Sequence, residues 1–88
     1  MGIFGFGKSY TKDDLNSEIA QLRTLYVEAM SNRSPQMKKA LASQLKKVLE
    51  VCRKGNFAGW EIVEWPTPGN HTSLRNVTPT VQVMIDMM

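Results

Sequence analysis

Apolar positions set the first element. Leu15, Ile19, Leu22, Tyr26, Ala29 and Met30 recur at intervals of three and four, which places them on one narrow helical face. Just upstream, Thr11 can cap the free amides and Asp14 can bond back to it in a capping box. Asp13 and Asp14 also suit the positive end of a helix dipole. The pattern predicts a helix over about residues 12–31. Ser31-Asn32-Arg33-Ser34-Pro35 breaks it and starts the next, with Ser34 as cap and Pro35 at the first helical position. Met37, Leu41, Leu45, Val48, Leu49 and Cys52 carry the helical spacing onward, and Gly55 stands where a left-handed closing residue is wanted. A second helix is therefore expected over about 35–54. So short a link makes the two helices antiparallel neighbours.

The last third follows no single period. Trp60-Glu61-Ile62-Val63-Glu64-Trp65 suits a strand or one helical turn, and Pro66, Pro68, Gly69 and Asn70 interrupt whatever it forms. The tail from Val81 to Met87 alternates like a strand. Yet Thr78-Pro79 resembles a helix start, and Val81, Met84, Ile85 and Met88 also share a helical face. Because an isolated two-stranded sheet is marginal, a helix is preferred to a strand there. The expected fold is mainly α: an antiparallel two-helix hairpin with a short C-terminal element packed on it. A small β-hairpin, making the fold α+β, is the alternative. The expected organisation is a flexible Gly/Phe-rich arm over 1–10 and one small domain over 11–88, with the helical hairpin in 11–55 and the Trp-containing segment and C-terminal element in 56–88.

Composition narrows the function classes. Eighty-eight residues allow one domain and disfavour a large internal cleft. One cysteine and one histidine exclude an intrachain disulfide, a four-ligand Cys/His metal site and a multi-cysteine cluster within the chain. No metal or cofactor is expected. No apolar run is long enough to span a bilayer, so integral membrane association is not expected. The start lacks the charged and apolar regions of a signal peptide, and the lone Cys52 suits a reducing cytoplasm, so a cytoplasmic location is expected.

The net charge is +3, and the excess sits in one segment. Residues 34–54 hold Lys38, Lys39, Lys46, Lys47, Arg53 and Lys54 against Glu50 alone. At about 100° per residue these cations lie roughly opposite the apolar face of the second helix. Solvation of an outer face is the commoner reason for such a pattern. Nucleic-acid binding is the alternative, of low sequence specificity and strong salt dependence.

Gly2-Ile3-Phe4-Gly5-Phe6-Gly7-Lys8-Ser9 satisfies the phosphate-loop pattern G-x-x-x-x-G-K-[ST]. The chemistry behind that pattern needs a buried strand before the loop and a helix opening at the Lys-Ser. The pattern starts at residue 2, and Tyr10-Thr11 precede the first helix signal, so it reads as a coincidence. A looser anion nest using Lys8 is the distant alternative, holding a small anionic ligand such as a nucleotide at an oligomer interface.

No catalytic residues are expected. Cys52 falls on an apolar face, His71 lies in a proline-bounded loop, and Glu61 and Glu64 have no companion motif. Two amphipathic helices expose more apolar surface than they bury against each other, so self-association is expected. The leading expectation is a non-enzymatic interaction module that forms a homo-oligomer and binds a protein partner. Phe4, Phe6, Trp60 and Trp65 are its candidate contacts, since aromatic anchors dominate interfaces. Burial as core is the competing role for both tryptophans.

Overall fold

A computed structural model describes residues 10–88. The elements run α1 (Lys12–Ser31), α2 (Pro35–Gly55), β1 (Ile62–Glu64), β2 (His71–Ser73) and α3 (Leu74–Asp86). The expected N-terminal arm, with Phe4, Phe6 and Lys8, lies outside the described residues. Helices α1 and α2 pack closely as the expected hairpin, and a short C-terminal helix completes a mainly α fold.

The local signals act as their chemistry requires. Thr11 N–H donates to Asp14 Oδ2 at 2.8 Å while Asp14 N–H donates to Thr11 Oγ1 at 3.2 Å, closing the capping box. Ser34 Oγ accepts from Met37 N–H at 3.1 Å, with Pro35 just inside α2. The closing residue differs from expectation. Asn56, at φ 57°, takes the left-handed position, and Gly55 remains the last helical residue. Gly55 is needed for space instead: a Cβ there would collide with the Phe57 ring and stand 3.2 Å from the Tyr10 carbonyl oxygen.

Leu15, Ile19 and Leu22 of α1 meet Leu41, Leu45 and Val48 of α2 in a core completed by Val63, Trp65 and the inner face of α3. Two positions on the expected stripes are exposed, and Tyr26, Met37 and Cys52 are partly buried. Met30 is 50% exposed, one turn beyond Tyr26, whose ring packs on Trp65. Leu49 is 47% exposed, while Val51, outside the expected stripe, is fully buried. Gln44 explains the rotation: it lies seven residues before Val51 on the same flank, and its Nε2 bonds the Glu18 carbonyl and Oε1 of α1 at 3.0 and 2.8 Å. Helix α1 therefore covers the Val51 flank and leaves the Leu49 flank open.

Strands β1 and β2 are antiparallel, in register Ile62↔Ser73, Val63↔Thr72 and Glu64↔His71. Their turn contains a cis Trp65–Pro66 bond and Gly69 at φ 90°. It closes through Trp65 N–H to the Asn70 carbonyl at 2.9 Å. Alternation sends Val63 and Trp65 inward and Ile62 and Glu64 outward.

Helix α3 begins at Leu74, ahead of the expected start at Thr78-Pro79, so Pro79 lies inside it on the exposed side. Backbone carbonyls of the preceding segment satisfy its first amides. Leu74 N–H donates to Glu61 O and Arg75 N–H to Gly59 O, each at 2.7 Å. Ser73, at the cap position, makes no side-chain capping bond, and its Oγ accepts from Asn76 Nδ2 at 3.0 Å.

Candidate functional site

The two tryptophans separate. Trp65 is 5% exposed, its ring 4.8 Å from that of Tyr26 and tilted by 50°, so it belongs to the core. Trp60 is 75% exposed. It sits in a turn closed by Glu61 N–H to the Ala58 carbonyl at 3.1 Å. Three further bonds hold this turn: the two from α3 to Gly59 O and Glu61 O, and Lys12 Nζ to Glu61 Oε1 at 2.7 Å from α1. A large apolar ring thus stands in solvent on a turn whose backbone is bonded by α3 and whose Glu61 side chain is bonded by α1. Ile62, two residues on along β1, is 54% exposed.

Beside Ile62 runs a groove between the hairpin and α1. Its first part encloses about 210 Å³, lined by Asn16, Ile19 and Arg23 from α1 and Ile62, Val63, Glu64 and His71 from the hairpin. A second depression, of about 290 Å³, continues past Arg23 along Thr24, Val27, Thr67 and Pro68. Arg23 divides them. Its guanidinium donates to the Glu64 carbonyl at 3.2 Å and lies 3.7 Å from Glu64 Oε1, and its side chain is 14% exposed. The lining of the first part is mainly polar, and that of the second mainly apolar. Ile62 and Arg23 were not singled out by the sequence. The signal that finds Ile62 is strand parity with Trp60, which becomes readable once Pro68-Gly69-Asn70 is taken as a hairpin turn.

Cys52 and His71 do not share a site: Cys52 packs against the core on α2, and His71 lines the groove. Burial pushes the Cys52 thiol up from its ordinary value. Two consequences are expected. Alkylation of Cys52 at pH 8 should run several-fold slower than that of free cysteine, because less thiolate is present. Because burial penalises the thiolate, the fold keeps its full stability below pH 9.0, the ordinary thiol value, where the thiol is protonated in both states. Above it the unfolded chain loses the proton first, so stability falls as pH rises. Urea midpoints of the wild type and Cys52→Ala, compared between pH 8 and 10, check it: the wild type should lose more.

All six cations of α2 are exposed. Lys54 Nζ lies 3.6 Å from Glu50 Oε2, and none of the other five forms an ion pair with a described residue. Lys38 departs from the expected face. Helical geometry places it about 100° from Lys39, on the Leu49 flank. Lys39, Lys46, Lys47, Arg53 and Lys54 share the outer surface. Helix α1, capped by Thr11, begins at Lys12, so it does not supply the helix that a phosphate loop needs at Lys8-Ser9.

Among the described residues, no group of three or more His, Cys, Asp and Glu side chains is placed to hold a metal ion, and no helix is long and apolar enough to cross a membrane. Over the described residues, fold and surface define a class: three helices carrying a β-hairpin with an exposed aromatic turn. Compared with protein-family models, curated proteins and solved structures, the chain matches none.

Proposed function

We propose that this chain is a non-enzymatic interaction module that self-associates and binds protein through the outer face of its hairpin, with Trp60 as the anchor. One observation carries the reading: Trp60 is three-quarters exposed on a turn tied down by hydrogen bonds from α1 and α3. An exposed tryptophan on a fixed backbone gives up little conformational entropy on docking, which favours affinity. Ile62 extends the apolar contact, and the groove beside it supplies a recess with a mainly polar lining. Of the two expected aromatic contacts among the described residues, Trp60 is the exposed one. Trp65 supports the hairpin from beneath, and Phe4 and Phe6 lie outside the described residues.

Sedimentation velocity over a wide concentration range tests this reading. The wild type should show a concentration-dependent oligomer. Trp60→Ala should weaken association by at least about tenfold, as loss of a hot-spot residue does. Its unfolding temperature should hardly move, because surface changes cost within about 0.5 kcal/mol. A wild type that stays monomeric throughout, or a Trp60→Ala variant that associates as strongly, rejects self-association through this face.

A further inference from the structure

The outer surface of α2 carries a feature that the hairpin face does not use. Lys39, Lys46 and Arg53 follow one another at seven-residue intervals, so they form a row about 21 Å long, given a rise of about 1.5 Å per residue. Lys47 and Lys54 form a second row with the same repeat. About 100° of helix surface separates the rows, or about 8–9 Å across a helix of ordinary diameter. Ser43 and Glu50 occupy the ridge between them, beside a shallow depression of about 200 Å³ that Lys46 and Lys47 also line. The only ion pair these five cations form with a described residue is Lys54–Glu50.

We propose that this face binds the phosphate backbone of double-stranded nucleic acid without sequence specificity. The charge is complementary, and its arrangement selects among polyanions. A single row could follow one strand. Two parallel rows let the helix reach phosphates on both sides of a groove, whose width in the major groove is about 12 Å. Single strands are bound by stacking bases on aromatic rings interleaved with cations, and no aromatic residue of α2 accompanies these rows. A membrane surface would call for exposed apolar side chains beside the cations. The ridge here is polar, Leu49 is a single large apolar side chain exposed on the flank beyond Arg53, and Trp60 and Ile62 belong to the hairpin. Phosphate contacts by lysine and arginine carry no base readout, hence the lack of specificity.

Fluorescence anisotropy with a labelled DNA duplex of arbitrary sequence, about two helical turns long, tests the proposal. The wild type should bind at low salt, with log K falling against log salt at a slope of about −4, as four or five neutralised phosphates require. The triple variant Lys46→Gln/Lys47→Gln/Arg53→Gln should bind about tenfold or more weakly, its slope reduced to about −1.5. Trp60→Ala should bind as the wild type does, which keeps this proposal separable from the hairpin reading. The wild-type salt slope tests the proposal even if the triple variant unfolds. Absence of duplex binding at low salt, a flat salt response, or undiminished binding by a folded triple variant overturns the proposal. So does tighter binding to a single strand of equal length or to phosphatidylserine vesicles.

Discussion

Trp65→Ala is expected to lower the unfolding temperature by roughly 15–30 °C, whereas Trp60→Ala should leave it nearly unchanged. The indole of Trp65 is almost fully buried against Tyr26 and seals the space between α1 and the hairpin. Truncating a buried tryptophan to alanine costs about 3–5 kcal/mol, and each kcal/mol moves the midpoint of a domain this size by about 4–8 °C. Total stability at about 0.05–0.15 kcal/mol per residue is not much larger than that cost. The variant should therefore be partly unfolded at physiological temperature. Circular dichroism melts of both variants settle the comparison, and equal melting temperatures would contradict the placement of the two rings.

A second large effect is expected at Leu22, and its contrast with Met30 is informative. Both belong to the apolar stripe of α1, yet Leu22 is fully buried and Met30 is half exposed. Leu22→Ala removes three methylene-sized groups from a packed core and should cost about 3 kcal/mol or more, including the cavity left behind. Met30→Ala should change stability by no more than about 0.5 kcal/mol. Urea denaturation of the two variants measures both. Comparable losses would mean that the end of α1 is covered in solution, as self-association through that end would achieve.

That contrast shows how far periodicity reads. The spacing of apolar residues locates α1 and α2, and Thr11, Asp14, Ser34 and Pro35 fix their starts, because helix period and capping are local chemistry. How far along a stripe burial extends depends on where another element stops, as Met30, Leu49 and Val51 demonstrate. Neighbouring sequence cannot report that. The start of α3 was hidden for a related reason. Its first amides are satisfied by the carbonyls of Gly59 and Glu61, which no local motif announces, while Thr78-Pro79 imitates a start one turn too late. For the candidate surface, the residue type was legible and its direction was not. Trp60 and Trp65 look equivalent in the chain, and only the pairing of β1 with β2 sends one outward and the other into the core. The cations of α2 were legible as a group, and the same 100° spacing taken position by position divides them into two rows and sets Lys38 apart.

The carbonyl caps on α3 also bear on how the molecule opens. Leu74 and Arg75 cannot leave their acceptors without disturbing the turn that carries Trp60, and that turn cannot rearrange without freeing the end of α3. Hairpin and C-terminal helix are expected to open as one cooperative unit, with amide protons that exchange together in a native-state exchange experiment. Any partner gripping the tryptophan turn pulls on that whole unit, so a contact made at one end of the molecule is felt along the length of its last helix.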